Sequence, residues 1–346
     1  MTEFPLISII IPCRNEEKFI GKCLDSILGN DYPNDKLEVL IIDGLSNDNT
    51  GKIITEYSRR YSFIKRIDNP KKITPIAMNL GIQGSKGDVI ILVNAHCVLD
   101  KFFLKYSIEY LETTKADAVG GRLNTINEGH SLISQTIPLA ADSIFGSGGR
   151  RYRSRTDEGF VFDTLPYSAY PKEVFKKYGY IDEELIRNQD EEFNYRILKN
   201  GGKIYFTPKI KSFLNIRPSL KKLWRQHYQY GYFKPLVAMK VGATMTWRQL
   251  IPALFVSALV ISGLLSFMAK LSLWLFLLII SSYLFANVIF SLSLAIKKGI
   301  RFFFSAPLVF TTLHFSYGIG YLKGMWDFVV MKNHNKKKIE DLPITR

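Results

Sequence analysis

Residues 6–28 read LISIIIPCRNEEKFIGKCLDSIL. Leu6 to Ile11 is a short β-rich run ended by Pro12, and after a polar turn Ile20, Cys23, Leu24, Ile27 and Leu28 fall at helical spacing. That is strand, loop, helix, and the unit returns. Leu37 to Ile42 is a second strand, followed by the turn Asp43-Gly44-Leu45-Ser46-Asn47-Asp48 and a helix that places Ile53, Ile54 and Tyr57 on one side. Phe63 to Ile67 is a third strand, a helix opens near Thr74-Pro75, and Asp88 to Val93 is a fourth strand. Strands alternating with helices at this interval predict an α/β domain with a mostly parallel sheet, whose ligands bind beyond the carboxyl ends of the strands. Polar clusters sit at those ends: Arg14-Asn15-Glu16, Asp43 with Asp48, and Asn94-Ala95-His96.

From residue 118 the alternation fades into Val119-Gly120-Gly121, a Gly/Arg-rich stretch from Gly146 to Arg155, and a charged segment from Ile181 to Leu198. Ser219 to Lys240 mixes Trp224, Tyr228, Tyr230, Tyr232 and Phe233 with Lys and Arg, as a helix lying at a membrane interface does. Residues 250–268 and 271–296 are then almost free of charge, and each is long enough to cross a bilayer. A tight turn at Ala269-Lys270 would pair them as a hairpin, and the basic Lys297-Lys298-Gly299-Ile300-Arg301 would bring the chain back to the cytoplasmic side. Residues 302–322 are apolar enough for a third span, but one more crossing would place the basic tail Lys332 to Lys338 outside. The reading is three membrane-associated helices, the third re-entrant or interfacial, with both termini cytoplasmic.

The net charge of +15 fits an anionic membrane surface and phosphate-bearing substrates, because Lys221, Lys222, Arg225, Lys234, Lys240, Lys297, Lys298 and Arg301 lie near the apolar segments. No zinc-finger or RNA-binding signature points to nucleic acid as a partner. Met1-Thr2-Glu3-Phe4-Pro5 lacks the basic start of a signal peptide, so the first domain is expected in the cytoplasm. There Cys13, Cys23 and Cys97, which have no metal-type spacing, would remain thiols without a catalytic task.

Six motifs stand in one order: Ile11-Pro12-Cys13-Arg14-Asn15-Glu16; Ile42-Asp43-Gly44-Leu45-Ser46-Asn47-Asp48; Ala77-Met78-Asn79-Leu80-Gly81 with Gly87-Asp88; Val93-Asn94-Ala95-His96; Asn188-Gln189-Asp190-Glu191-Glu192; and Arg225-Gln226 with Tyr230-Gly231. In that order and spacing the chain resembles the family 2 glycosyltransferases of the GT-A fold, in their membrane-attached, exopolysaccharide-building branch. The resemblance covers about residues 5–240 and, more loosely, the membrane region. It implies a GT-A, Rossmann-like nucleotide-diphospho-sugar transferase domain over 1–218, an interfacial segment over 219–248, C-terminal transmembrane helices over 249–326 and a basic cytoplasmic tail over 327–346.

The resemblance also implies roles. Pro12, Arg14, Glu16, Asp43, Asp48, Asn79 and Asn94 fall at donor-binding positions, with Asp43 matching the carboxylate that holds the nucleotide base. The alternative readings are Asp43 as a turn residue beside Gly44, Asp48 as a helix cap, and Glu16 as a first-turn carboxylate favoured by the helix dipole. The family's Asp-x-Asp metal motif is Asn94-Ala95-His96 here. An imidazole at His96 suits manganese or another transition ion, while Asn94 keeps an oxygen but loses a charge, so Mn2+ or Mg2+ is the implied cofactor. Asp190 stands at the place of the general base that deprotonates the acceptor hydroxyl in inverting transfer, with Glu191 as its substitute if the register is off by one. Gln189 replaces the first acid of that pair. Arg225 with Gln226 or Gln229 resembles the late pyrophosphate-binding Gln/Arg motif, although Arg225 at a membrane surface also snorkels to headgroups. The basic loop Gly148 to Arg153 would close over phosphates, or be a plain surface loop.

The function these readings imply is transfer of a hexose, glucose from UDP-glucose, to a polyprenyl-pyrophosphate-linked saccharide at the cytoplasmic membrane. Direct transfer to a polyprenyl phosphate is the near alternative. A degenerate nucleotide- or glycan-binding subunit, or a transporter or scaffold, is the alternative of a different class.

Overall fold

The structure, a computed structural model, describes residues 4–126, 129, 131–147, 155–215, 219–242 and 247–332. The basic loop Gly148 to Arg153 and the tail beyond Lys332 lie outside the described residues.

Ile7, Ile9, Ile10 and Ile11 are all buried in strand β1 (Ile7–Cys13), because helices cover both faces of the sheet it centres. β1 pairs in parallel with β2 (Leu37–Asp43) on one side and β4 (Val89–Leu92) on the other, and β2 pairs with β3 (Ile64–Asp68). Helices α1 (Ile20–Leu28), α2 (Thr50–Arg60) and α3 (Thr74–Gly84) make the crossovers. The expectation that Pro12 ends the first strand is corrected: β1 runs on to Cys13, with Pro12 in register with Ile42. The reason is the sheet's edge. The β4 ladder reaches only Ile10, so the N–H that Pro12 lacks would have met no strand on that side. Gly81 lets α3 lie directly on β1, since a Cβ there would stand 2.3 Å from Ile10 Cγ2.

After α4 (Phe103–Thr114) the sheet becomes mixed. β8 (Ala169–Pro171) runs antiparallel to β4 and to β6 (Ala118–Ile126), β6 pairs in parallel with β9 (Ile204–Asn215), and β5 (Cys97–Leu99) and β7 (Gly159–Val161) flank β9 in antiparallel pairs. The order is β3-β2-β1-β4-β8-β6-β9-β5. Short helices α5 (Leu132–Ala141), α6 (Ile144–Ser147) and α7 (Glu173–Tyr178) leave the sheet, and α8 (Gln189–Lys199) returns to its carboxyl edge.

Four further helices follow: α9 (Leu220–Val241), α10 (Ile251–Leu265), α11 (Lys270–Lys298) and α12 (Ala306–Gly324), the last extended by a π-type turn over Met325–Val330. Lys270–Lys298 and Ile300–Val330 are each long and apolar enough to cross a membrane. This corrects the reading of 250–268 as a full span. The helix there has 15 residues, about 22 Å of rise against a hydrocarbon core of roughly 30 Å. Among the described residues the segment read as re-entrant is one of the two that are long enough, yet half of its apolar window is buried against protein. α9 is its main partner. Gly320 meets the Tyr228 carbonyl, Gly324 that of Tyr232, and Gly231 that of Tyr317, each at 2.1 Å from where a Cβ would sit, so the two helices run parallel with their backbones touching.

Candidate active site

The loops after β1 and β2 are tied to each other. Asn15, held at φ 55°, donates its N–H to Ser46 Oγ at 2.9 Å, and the Asn47 N–H donates to Asn15 Oδ1 at 3.0 Å. Asp43 lies beneath them with no exposed surface. Its Oδ1 accepts the Ser46 N–H and hydroxyl at 3.1 and 2.6 Å, and its Oδ2 pairs with the Arg66 guanidinium at 2.8 Å. The carboxylate thus holds the turn from beneath. Asp48, one residue before the N-cap Asn49 of α2, accepts the Thr50 N–H at 3.0 Å and the Glu17 N–H at 3.3 Å. Partial burial would raise its pKa, but these bonds and the Thr50 hydroxyl outweigh that and hold it below the ordinary value. The stem of Arg14 packs under Gly44, 3.2 Å from where a Cβ would be.

A cleft opens beyond β4. Its polar lining includes Asn94, Tyr167, Gln189 and Asp190, over a floor that includes Met78, Leu92 and Leu165. The Asn94 amide donates to the Tyr167 hydroxyl at 2.9 Å, which turns the Asn94 carbonyl oxygen away from that ring. Tyr167 itself sits at φ 51°, an uncommon conformation for a large side chain, and Asn188 at φ 61° introduces α8. Such backbone conformations gather at functional sites. Sequence reading did not single out Tyr167, and its Leu-Pro-Tyr-Ser setting carries no signal that would have.

His96 stands at the same strand end, with Nδ1 3.4 Å from Glu16 Oε1 and its ring edge-on to Phe19. That nitrogen is buried and makes no hydrogen bond. Among the described residues no group of three or more His, Cys, Asp or Glu could hold a metal ion. The donor set of one unbonded imidazole nitrogen, the Glu16 carboxylate beside it and the Asn94 oxygen fits a cation that takes its remaining ligands from a diphosphate and water, as Mg2+ sites do. Asn79 is placed otherwise. Its amide spans to the Ile181 backbone at 2.9 and 3.0 Å and to Glu183 at 3.0 Å, so it orders segment 181–183 rather than opening into the cleft.

Asp190, Glu191 and Glu192 share the first turn of α8 but not their surroundings. Glu192 is buried and bidentate to Arg196. Glu191 pairs with the buried Lys234 and accepts from Gln249 at 3.3 Å. Asp190 lines the cleft and keeps exposed surface there, in contrast to the buried Glu192. Desolvation and the Glu191 charge raise its pKa above the ordinary aspartate value, against the helix-end N–H groups and Lys234, which lower it. Arg187, Tyr167 and Tyr170 also face it. On α9, Gln229 is buried and accepts from Arg187 at 3.1 Å, Gln226 donates to the Tyr230 hydroxyl at 2.9 Å, and Arg225 is exposed. The three thiols are buried, and burial raises their pKa, which leaves them unreactive.

Residues 8–179 match the family model described as Glycosyl transferase family 2. Over 332 residues the chain is 32% identical to the dolichyl N-acetyl-alpha-D-glucosaminyl phosphate 3-beta-D-2,3-diacetamido-2,3-dideoxy-beta-D-glucuronosyltransferase of Methanococcus voltae, covering 92% of this chain and 97% of that protein. It is 26% identical to the succinoglycan biosynthesis protein ExoA of Rhizobium meliloti (strain 1021), covering 92% and 95%. Among solved structures, the mannosyltransferase PcManGT of Pyrobaculum calidifontis, in complex with GDP-Man and Mn2+, superposes with a TM-score of 0.61 at 16% identity over 94% of this chain and 88% of that one. That likeness shows a common fold.

Proposed function

The chain belongs to glycosyl transferase family 2 and is a glycosyltransferase with the GT-A fold, and we propose that it is an inverting enzyme that moves a hexose, glucose from UDP-glucose, onto a polyprenyl-pyrophosphate-linked saccharide of a surface or exopolysaccharide. The observation that carries the mechanism is the separation within one helical turn: Asp190 faces the cleft at the end of β4, while Glu191 and Glu192 are held by Lys234 and Arg196. Asp190 takes the proton of the acceptor hydroxyl as its oxygen attacks the sugar carbon, and the nucleoside diphosphate leaves from the opposite face. Glu191, so paired, is not a second base. Arg14 and Glu16 border the donor side, with Pro12 and Asp48 holding their loops in place.

His96 and Asn94 would hold Mn2+ or Mg2+ together with the donor diphosphate, and the cation supplies charge neutralisation for the leaving group. Arg225, with Gln226 and Gln229 behind it, faces the phosphates of the lipid carrier or the headgroups of anionic lipids. The enzyme would sit in the cytoplasmic membrane as a multi-pass protein with its catalytic domain on the cytoplasmic side.

A second reading of the acceptor is favoured by one observation. The Methanococcus relative, alike over nearly its whole length, is named for an acceptor sugar carried on a single dolichyl phosphate. A donor screen on detergent-purified protein decides both points: UDP-glucose, other UDP-sugars and GDP-sugars, with Mn2+ or Mg2+, against monophosphate- and pyrophosphate-linked polyprenyl saccharides and bare polyprenyl phosphate. Metal-dependent UDP release with UDP-glucose and the pyrophosphate-linked acceptor is expected. Turnover with only another sugar or only the monophosphate-linked acceptor replaces that part of the proposal.

A further inference from the structure

Segment 181–191, which contains the cleft carboxylate Asp190, is bound along one side by helix α9. Lys240 bridges Asp182 and Glu184 at 2.5 and 2.7 Å, Arg187 donates to Gln229 at 3.1 Å, and Asn188 donates to the Tyr230 carbonyl at 3.0 Å. The fourth tie is of another kind. Lys234 is 5% exposed, and its ammonium is paired with Glu191 from the middle of α9. A lysine is almost never buried without a partner, and neither member of such a pair tolerates loss of the other. α9 in turn is fixed by backbone contact to α12, so the pair joins the helix of the cleft carboxylate to the apolar end of the chain.

We propose that Lys234 is a positioning residue for the transfer: its ammonium neutralises Glu191 and pins the first turn of α8 to α9, so that Asp190 is presented to the acceptor at a fixed place. Lys234 touches no substrate in this role; it acts through Glu191. The inference rests on Asp190 as the base. It adds that the geometry of that base is set from the helix that follows the catalytic domain.

The test uses the full-length protein in detergent, with the nucleotide sugar and polyprenyl-linked acceptor that the wild type turns over in the screen above. Lys234→Met is expected to lower kcat by about 10²-fold, the scale of a displaced reacting group, with donor KM within about twofold of wild type. Lys234→Arg keeps the charge and is expected to retain most of kcat. Lys234→Met with Glu191→Gln removes both charges and is expected to recover at least about tenfold over the single variant, since an unpaired buried carboxylate costs more than a neutral pair. Wild-type kcat in Lys234→Met, a loss confined to KM, or a double variant no better than the single one overturns the proposal. If Glu191→Gln alone is as inactive as Asp190→Asn and adding Lys234→Met to it recovers nothing, Glu191 is a reacting group and the proposal also falls. Retained transfer in Asp190→Asn with an intact Lys234 pattern would instead overturn the assignment of the base.

Discussion

A carboxylate serves as a base only while ionised, and the surroundings of Asp190 work against ionisation. Desolvation by the protein groups around it and the neighbouring Glu191 charge raise its pKa, and Lys234 and the helix end only partly offset them. Because the working form is deprotonated, kcat/KM is expected to fall as pH drops through an apparent pKa above 3.8, the reference for aspartate. A pH–rate profile with its acid limb at or below that value contradicts the assignment. Asp190→Asn removes the proton acceptor and is expected to cost about 10²–10⁴-fold in kcat while leaving donor binding largely intact, as read by nucleotide titration. Tyr167 makes a second residue-level prediction. Tyr167→Phe keeps the ring but frees the Asn94 amide, and the loss of one hydrogen bond, about 1 kcal/mol, is expected to raise donor KM roughly 3–10-fold; an unchanged KM would mean the bond does not orient Asn94 for the donor. The order of the motifs is enough to single out Asp190, Asn94, His96 and Glu16. It gives no access to Tyr167, whose position depends on a backbone conformation, nor to the pairing of Glu191 with a lysine 43 residues away. Likewise Asp43 and Asp48 stand in the sequence with two readings each, and which atoms they bond is decided by the folding of the two loops onto each other.

Elements with their own periodicity are legible in the sequence, and elements made by long-range pairing are not. β1 to β4 and the three helices between them follow from runs of Ile, Val and Leu punctuated by turn residues, and parallel pairing of that kind is a local consequence of the repeated unit. Strands β5, β7 and β8 have three residues each, too short to show alternation, and exist because β9 and β4 offer edges to them. The α9–α12 pair is hidden for a similar reason: aromatic and basic residues on α9 read as an interfacial helix, while the glycines that bring it against α12 lie 89 residues further on, as Gly320 does from Gly231. This pair makes a prediction of its own. A methyl group at Gly320 would stand 2.1 Å from the Tyr228 carbonyl oxygen, which forces the helices apart, so Gly320→Ala is expected to destabilise the protein by about 1–3 kcal/mol. Gly263 on α10 has nothing nearer than the Phe276 ring at 3.4 Å, and Gly263→Ala should be neutral or stabilising by up to about 1 kcal/mol through helix propensity. Thermal unfolding of both variants in detergent checks the contrast; equal melting temperatures would show that the crossing is loose.

At the scale of the whole chain the question is whether the apolar end is a detachable anchor. Its packing says otherwise. Leu223 of α9 shares a buried cluster with Val309, Phe310 and Leu313, and Tyr232, Phe233 and Leu236 share another with Phe328 from the turn after α12 and with Leu185, Ile186 and Tyr195 around α8. The second cluster joins side chains of the segment that carries Asp190, of α9 and of the turn after α12, so removing α12 and its turn opens it from one side. Each large apolar side chain so uncovered forfeits roughly 1.5–3 kcal/mol, a serious loss against a typical total stability of about 5–15 kcal/mol. α11 shows the opposite character, since little of it is buried within the protein and its leucines and phenylalanines face outward, as a lipid-facing helix requires. Ending the chain at Gly242, which keeps α9 and deletes everything after it, is therefore expected to yield protein that aggregates, or that stays dispersed in detergent but has lost transfer, because α9 can no longer hold segment 181–191 in place. Size-exclusion profiles and turnover measured side by side with the full-length enzyme decide this. A monodisperse truncated chain with wild-type kcat would show that the catalytic domain carries its own α9 docking and that the helices beyond it serve only to keep the enzyme at the membrane.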